Sequence, residues 1–310
     1  MTAARVRFGT SSFSTKDWVG PFYPPGTKAA DYLASYAEHF DTVEVDSTYY
    51  GVPAATTVER WRDRTPDHFL LSAKFPRAIV HAGKGARPDR SSILVPELTN
   101  PVRDAFLETM SRMGEKLGPL VLQFPFLGKD VFPDPQEFLD RLDRFLGDLP
   151  RNFHYAVEVR NRDLVNRRVV EMCRRHGAAF TLVDQAWMPH GDEVLRRMDP
   201  VTAPFTYIRL LGDHKEMDKL TDTWDREVLD QTPRLTRWAR LLADLLSREV
   251  PALVYVNNHY AGHAPATVRR LQALVRQALG DREDAAWTPE SPAESTGSWG
   301  PPGSSPTTKT

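Results

Sequence analysis

The sequence predicts an α/β fold, namely a (β/α)8 TIM barrel formed by a single domain and followed by a disordered C-terminal tail. Eight short apolar runs rich in β-branched residues recur along the chain, helical patterns separate most of them, and a polar or ionisable residue ends each run. Alternating strands and helices pair in parallel, and eight such units favour closure into a barrel. An open sheet that binds a dinucleotide is disfavoured, because the turn at residues 9–13 lacks the glycine-rich fingerprint.

The elements of the first half follow from their apolar spacing. Strands are predicted at residues 6–10, 42–45, 69–74 and 119–123. Helices are predicted between them, at residues 29–39, 56–64 and 101–117. The second of these helices ends before Pro66, because the residue before a proline is disfavoured in helical conformation.

The second half repeats the alternation. Strands are predicted at residues 154–159, 179–184, 205–210 and 252–257. The predicted helices lie at residues 136–146, 165–176, 233–248 and 264–279. Gly177 is a good C-terminal stop for the second of these helices. The barrel domain is therefore expected to span residues 1–280, and the Pro-, Ser-, Thr- and Gly-rich residues 281–310 are expected to be disordered.

Composition narrows the class of protein. Of the 310 residues, 41% are hydrophobic and 26% are charged, which is the balance of a soluble globular protein with a substantial core. The formal net charge of −1 does not favour nucleic acid or an acidic membrane as a partner of the whole molecule. No signal core and no apolar run of about 18 residues is found. We therefore expect a cytoplasmic protein.

The single cysteine, Cys173, excludes an internal disulfide framework and a cysteine-rich zinc site. It lies in a helical pattern, where a small buried hydrophobic residue is expected rather than a nucleophile.

Polar residues at the strand ends form the candidate site, because active sites of such barrels lie at the C-terminal ends of the strands. The candidate catalytic residues are Glu44, Lys74, Glu158 and Asp184. The candidate substrate-binding residues are Ser11, Trp18, Tyr23, Asp46, Gln123, Arg160, Arg209, Asn257 and His259. Burying so many polar groups is costly unless they are paired or solvated, so the alternative is that they cap the barrel by pairing with each other.

Each charge suggests a role. Glu44 and Glu158 lie on opposite sides of the predicted mouth, and either could act as a general acid or base. An ion pair with Glu44 is expected to keep Lys74 protonated and to give it an electrostatic role. The guanidinium groups of Arg160 and Arg209 suit a carboxylate or phosphate, and Asp184 could hold one of them or act as a base.

Two loops extend the candidate site. The third strand–helix loop carries basic residues that predict either a mobile lid over an anionic substrate or a solvated charged loop. These residues are Lys74, Arg77, His81, Lys84, Arg87 and Arg90. The aromatic loop at residues 18–24 could form the floor of a pocket by stacking on a sugar or base, or pack over the barrel end.

The motifs at the strand ends resemble those of the YecE-like family, a family catalogued as a domain of unknown function. They are Gly9-Thr10-Ser11, Phe22-Tyr23-Pro24, the segment 42–50, Lys74-Phe75, Gln123-Phe124-Pro125, Val157-Glu158-Val159-Arg160, Asp184, Tyr207-Ile208-Arg209 and Asn257-Asn258-His259. The resemblance covers residues 6–280. It implies a barrel of the xylose-isomerase and endonuclease IV type and implies no particular reaction.

Three functions remain open. The first is an enzyme that uses the Glu, Lys, Arg and Asp groups for acid–base chemistry on a small anionic or sugar-like substrate, as a hydrolase, isomerase or lyase. A retaining glycosidase is disfavoured, since strands four and seven end in Gln123 and Arg209 rather than carboxylates. No cofactor is expected, and the oligomeric state is left open.

The second function is an endonuclease IV-like, metal-dependent phosphodiesterase, by analogy of fold. Its candidate ligands for a divalent metal are Glu44, Glu158, Asp184 and His259. Neighbouring cationic side chains would repel the metal, so no metal ligand is assigned. The third function is a non-catalytic module that binds nucleic acid or another protein; the basic loop and the aromatic residues Trp18 and Tyr23 permit stacking on a single strand.

Overall fold

Eight parallel strands form the centre of the molecule. The computed structural model describes residues 5–83 and 85–280, so the predicted disordered tail at residues 281–310 lies outside the described residues. The strands are β1 (Val6–Thr10), β2 (Thr42–Val45), β3 (Leu70–Lys74), β4 (Leu117–Gln123), β5 (Tyr155–Glu158), β6 (Ala179–Gln185), β7 (Thr206–Gly212) and β8 (Ala252–Val256).

The helices lie between the strands and after the last one. They are α1 (Tyr32–Ala37), α2 (Ala55–Asp63), α3 (Arg77–Val80), α4 (Pro96–Met110), α5 (Pro135–Gly147), α6 (Arg167–His176), α7 (Gly191–Arg197), α8 (His214–Leu220), α9 (Thr232–Ser247) and α10 (Ala264–Gly280). Sequence signals explain their ends. Asn166 accepts a hydrogen bond from the backbone N–H of Val169 and so caps α6, and Gly177 ends that helix with a left-handed φ of 66°.

The predicted (β/α)8 barrel is confirmed. The strands are hydrogen bonded in the order β1-β8-β7-β6-β5-β4-β3-β2, and each pairing is parallel. A parallel bridge between Ser11 and Glu44 brings β1 against β2 and nearly closes the barrel. Gly9 permits this approach, because a Cβ atom there would lie 2.1 Å from the carbonyl oxygen of Thr42.

Three short helices were not predicted from the sequence. These are α3, α7 and α8, which have four, seven and seven residues. Two turns or fewer give too few apolar positions for a helical period to be recognised. The helix predicted at residues 101–117 begins earlier, at Pro96, and its last part is a 3-10 helix at Ser111–Lys116.

The core has two layers. Side chains on the inner face of the strands form a cluster inside the barrel that includes Leu70, Val121, Tyr207 and Tyr255. The larger cluster packs the outer face of the strands against the helices, and Cys173 is buried there on α6, as expected. Burial raises the pKa of the Cys173 thiol to about 12. Within the described ranges, no helix combines the length and the apolar character needed to cross a membrane.

Candidate active site at the barrel mouth

A buried arginine on β7 links the two predicted glutamates. Arg209 donates from Nη2 to Glu44 Oε1 at 2.7 Å and from Nη1 to Glu158 Oε2. Its Nη1 atom also donates to Gln123 Oε1 at 2.8 Å. Both carboxylates are fully buried and Arg209 is 1% exposed. Residues from β2, β4, β5 and β7 therefore meet in one hydrogen-bonded cluster inside the C-terminal end of the barrel.

Three further side chains complete this central cluster. Lys74, at the end of β3, places Nζ 3.6 Å from Glu44 Oε1. The hydroxyl of Tyr207 donates to Glu44 Oε2 at 2.8 Å, and Arg160 donates from Nε to Glu158 Oε1 at 2.9 Å. Each carboxylate oxygen therefore has a donor or an ammonium group beside it, as buried charges require.

Both glutamates are held in the ionised form. Burial alone would raise the pKa of Glu44, but Arg209, Lys74 and the Tyr207 hydroxyl outweigh burial and lower it below its ordinary value. Burial would likewise raise the pKa of Glu158, and Arg209 and Arg160 lower it. At neutral pH these carboxylates are bases and ion-pair partners rather than proton donors.

The amine of Lys74 is subject to opposing influences on its pKa. Burial and the positive charge of Arg209 lower the pKa of Lys74, and the nearby carboxylates, of which Glu44 is the strongest, offset this in part. The predicted ion pair with Glu44 is present and raises the pKa of Lys74 as expected, but burial and the charge of Arg209 outweigh it.

The side chains of the central cluster differ in their exposure to solvent. The side chains of Glu44 and Glu158 are 0% exposed, whereas those of Lys74 and Arg160 are 11% and 24% exposed. The Nη atoms of Arg160 have no hydrogen-bond partner among the residues that the structure describes. Lys74 and Arg160 are therefore the cluster's cations that can contact a molecule in the mouth.

A polar cleft adjoins the central cluster at the ends of β8, β1 and β2. It has a volume of about 310 Å³. Five predicted binding residues line it: Ser11, Trp18, Asp46, Asn257 and His259. Asp46 lies between the cleft and the central cluster. Its side chain lines the cleft, and its negative charge raises the pKa of Lys74.

His259 is fixed by the loop that follows β7. Its ring stacks on His214 with centroids 3.8 Å apart, and it also contacts Trp224. Its Nε2 atom lies 3.4 Å from Asp218 Oδ1. On the opposite side of the ring, Asn257 Oδ1 accepts a hydrogen bond from the backbone N–H of His259 and contacts its Nδ1 atom. Burial lowers the pKa of His259 despite Asp218, so at neutral pH the ring is largely uncharged.

Asp184 lies outside the mouth, contrary to the prediction. It pairs in register with Leu210, a residue of the outer core, whereas its neighbour Val183 pairs with Arg209. Its carboxylate forms an ion pair with Arg234 and accepts from Trp238 Nε1 at 2.6 Å and from the Tyr260 hydroxyl at 2.8 Å. These donors belong to α9 and to the segment after β8. Asp184 therefore connects the outer face of β6 to α9 and to the segment after β8 by hydrogen bonds.

Tyr23 also packs away from the cleft. It is 0% exposed, its hydroxyl donates to the Phe13 carbonyl, and its ring stacks on Tyr32 with centroids 4.8 Å apart. Trp18 is 1% exposed, and its Nε1 atom donates to Asn258 Oδ1. Of the two alternatives for the aromatic loop, the structure places Tyr23 in packing over the barrel end and Trp18 in the wall of the polar cleft.

Among the described residues of the third strand–helix loop, Arg77, Arg87 and Arg90 have partners and are not the free cations expected of a basic lid. Arg77 donates to the carbonyl of Gly83 and contacts His81, which is buried. Arg90 is paired with Glu137 of α5, and Arg87 lies 3.5 Å from Asp130. These contacts hold the loop to its surroundings. Lys84, also part of that prediction, lies outside the described residues.

The predicted metal ligands do not converge on a metal site. In the part of the chain that the structure describes, no group of three His, Cys, Asp or Glu side chains is arranged to hold a metal ion. Glu44 and Glu158 are instead bound to Arg209, and Asp184 lies on the outer face of β6. The residues present thus do not fit the divalent metal of the endonuclease IV-like alternative.

Several residues of the site were missed from the sequence. Trp224 and His214 come from the region between β7 and α9, where no strand end marks them. Tyr207 lies two residues before Arg209, on the same face of β7, and this spacing of two was the signal that could have identified it.

Comparison with known proteins gives consistent matches over most of the chain. Residues 7–293 match the family described as "Protein of unknown function DUF72". The UPF0759 protein YecE of Escherichia coli O157:H7 is 37% identical over 267 residues, which cover 80% of this chain and 86% of that protein. The UPF0759 protein YunF of Bacillus subtilis (strain 168) is 25% identical over 268 residues, or 82% of this chain and 89% of that one. A solved DUF72 family protein from Thermotoga maritima MSB8 has the same fold, with a TM-score of 0.59 at 23% identity, over 89% of this chain and 99% of that chain.

Proposed function

The chain belongs to the DUF72 family, whose description names no function, and we propose from the barrel mouth that it is an enzyme performing acid–base chemistry on a small anionic or sugar-like substrate. One observation carries this proposal. Lys74, an amine with a lowered pKa, has a side chain that is 11% exposed, while the two glutamates beside it are ionised and fully buried. Amines adjusted in this way serve as proton-transfer groups in enzymes.

The first step in this function is binding of the anionic group. Arg160 and Arg209 offset the charges of the two buried carboxylates, and Lys74 adds a positive charge to the cluster whenever its amine is protonated. Arg160 uses Nε to bind Glu158, which leaves its two Nη atoms for a carboxylate or phosphate of the substrate. Burial of Glu158 fixes the orientation of Arg160 before the substrate arrives, so less entropy is lost on binding.

The second step is proton transfer through Lys74. The neutral amine takes a proton from the substrate, whose electron pair stays on the substrate, and the resulting ammonium lies beside ionised Glu44. Arg160 stabilises the negative charge that develops. The ammonium can return the proton at a different atom. Isomerisation and elimination both begin in this way, so these two reaction types fit the cluster better than hydrolysis.

The experiment is a turnover screen in D₂O with sugar phosphates and small hydroxy acids, read by mass spectrometry as deuterium incorporation and product formation. Lys74→Arg keeps the positive charge but cannot give up a proton near neutral pH. We expect it to lose about 10²-fold or more in kcat with a small change in KM, because general acid–base catalysis contributes about 10²–10⁴-fold. Lys129→Arg, the same change at an exposed lysine, should leave turnover unchanged. Full activity of Lys74→Arg on any substrate that is turned over would refute proton transfer by Lys74.

Glu158→Gln tests the rest of the cluster. Removing this charge frees Arg160 from its anchor, so we expect KM to rise more than kcat falls. Unchanged turnover would show that Glu158 and the position of Arg160 take no part in the mechanism.

A second candidate function, binding of single-stranded nucleic acid, rests on a different observation. Three exposed aromatic residues follow strands β2, β4 and β6, namely Tyr50, Phe126 and Trp187, which are 81%, 59% and 46% exposed. Bases stack on such side chains, and binding would depend steeply on salt. A salt titration with a labelled oligonucleotide distinguishes the two functions. A steep salt slope that Trp187→Ala reduces would favour nucleic acid, and micromolar binding of small anions alone would favour the enzyme.

A further inference from the structure

The polar cleft beside the central cluster differs from it in charge and in chemistry. Lysine and arginine are absent from its lining in the described ranges, which instead consists of hydroxyl, amide, carboxylate and aromatic groups. We propose that this cleft is the subsite for a polyhydroxylated chain or ring, so that the substrate is a sugar carrying an anionic group. This proposal rests on the proposed function, because the anionic group is assigned to Lys74 and Arg160.

Two asparagines in the cleft are oriented by the fold. Asn258 Oδ1 accepts from Trp18 Nε1 at 3.3 Å and from the backbone N–H of Ala264 at 3.0 Å. Asn257 Oδ1 accepts from the backbone N–H of His259 at 2.9 Å. The amide oxygens are thus used within the protein, while the Nδ2 groups have no partner in the described part of the chain. Both Nδ2 groups are donors held ready for hydroxyl oxygens of a ligand.

The complementary acceptor is Asp46. Its side chain forms no hydrogen bond or ion pair with another described residue, yet it lines the cleft and lies close enough to Lys74 to act on its charge. A carboxylate accepts hydrogen bonds from two neighbouring hydroxyls at once. Asp46 therefore occupies the position where the hydroxyls next to the anionic group of a sugar would lie.

The β1 end adds a hydroxyl group without a partner. Ser11 is 8% exposed, and its buried Oγ atom has no hydrogen-bond partner in the described ranges. An unpaired buried hydroxyl is costly, and a ligand hydroxyl in the adjoining cleft would satisfy it. Ser12, next to it, has a positive φ of 119°, which is rare for a residue other than glycine and is found in functional loops.

The size and the aromatic wall of the cleft suit one sugar unit. Its volume of about 310 Å³ is at the lower end of the range for small-molecule sites. Trp224 is half-buried in the wall, so part of its ring is available to the apolar face of a sugar ring, whereas Trp18 is 1% exposed. A nucleic-acid base would leave the amide and carboxylate groups of the cleft with fewer partners than a polyol.

Calorimetric binding measurements with three probes test this assignment. The probes are pentose and hexose phosphates, the same sugars without phosphate, and inorganic phosphate. Asp46→Ala and Asn258→Asp should each weaken binding of sugar phosphates about tenfold, the loss of one to two hydrogen bonds, and leave inorganic phosphate within about twofold. Asn258→Asp keeps the Oδ1 acceptor for Trp18 and Ala264 and replaces the donor, so it tests recognition with little change to the fold. Asp148→Ala, at the exposed C-cap position after α5, is the matched control for Asp46→Ala and should change neither affinity.

The outcomes separate this inference from the proposed function. Lys74→Met should weaken inorganic phosphate and sugar phosphates alike. The sugar subsite would be refuted, and the anion site left in place, if sugar phosphates bind no tighter than inorganic phosphate. The same conclusion would follow if neither Asp46→Ala nor Asn258→Asp weakens their binding. Binding of uncharged sugars that Asp46→Ala abolishes and Lys74→Met leaves intact would support the subsite even if turnover is never found. Failure of every probe to bind at millimolar concentration would contradict both.

Discussion

Replacement of Arg209 by methionine tests the electrostatic structure of the central cluster. The change removes the cation that binds Glu44 and Glu158, both fully buried, and keeps an unbranched apolar side chain. Removing one partner of a buried ion pair costs about 3–5 kcal/mol, because the remaining charge is left without compensation. Lys74 and Arg160 still contact the two carboxylates, so we expect the free energy of unfolding to fall within that range rather than by twice as much.

The loss of stability in Arg209→Met should depend on pH, and the direction follows from the pKa values of the two glutamates. In the native protein the pKa of each glutamate lies below its ordinary value, so the stabilisation is present above that ordinary pKa and is lost as pH falls through the lowered one. Without Arg209, the strongest opposing charge is gone and burial raises both pKa values. The variant is then destabilised most at neutral pH and recovers as the carboxylates become protonated. The difference in stability between the two proteins should therefore shrink from pH 7.5 to pH 5.

Urea unfolding followed by tryptophan fluorescence at these two pH values provides the measurement. Arg196→Met is the matched control, since Arg196 is 67% exposed in a surface pair with Asp192 and should cost about 0.5 kcal/mol or less. A loss below about 1 kcal/mol for Arg209→Met, or a loss independent of pH, would refute the assignment of two ionised glutamates to this arginine.

Three other predictions follow from the same structure. Sulfate keeps a constant charge between pH 6 and 10, and its affinity should fall as pH rises through the lowered pKa of Lys74. Lys74→Arg should remove this pH dependence, because arginine stays protonated. An affinity profile that Lys74→Arg leaves unchanged would contradict the role of the amine. Asp184→Asn should destabilise the fold by about 1–3 kcal/mol in urea unfolding, because the carboxylate binds Arg234 and Trp238. Sulfate affinity should stay unchanged, because Asp184 lies outside the mouth. A loss of sulfate affinity would show that Asp184 contributes to the site. Cys173 should react with a thiol reagent only after unfolding, since burial raises its pKa to about 12; rapid labelling of the native protein would contradict its burial.

Much of the fold and part of the site could be predicted from the sequence. The eight strands, their order along the chain and the resemblance to the YecE-like family are confirmed. The central cluster could be anticipated as a meeting of strand ends, because the C-terminal ends of all strands of a barrel face one mouth. Glu44, Lys74, Glu158 and Arg209 are each the last inward-facing residue, or nearly so, of an apolar strand.

The error at Asp184 has a physical cause. Successive side chains of a strand point to opposite faces, and in a parallel barrel both faces are buried and apolar, so the sequence does not indicate which face a terminal residue joins. Arg234, Trp238 and Tyr260, which bind Asp184, lie 50 or more residues further along the chain.

Most of the pairing between charges was not evident from the sequence. The basic residues of the third loop suggested a lid, but the sequence did not show that Glu137 and Asp130 would pair with Arg90 and Arg87. The direction of the pKa change of Lys74 depends on its burial and then on the position of the Arg209 guanidinium group, and both are properties of the packed barrel. The ion pair of Lys74 with Glu44 was predicted and is present, whereas the partners of Arg87 and Arg90 were not predicted.

A crystal structure of the protein soaked with a sugar phosphate tests the barrel mouth most directly. We predict the anionic group within hydrogen-bond distance of Lys74 Nζ and the Nη atoms of Arg160, with the sugar hydroxyls against Asp46 and Asn258. An anionic group bound against Arg87 and Arg90 in the third loop, with the mouth empty at a saturating concentration, would contradict the proposed site.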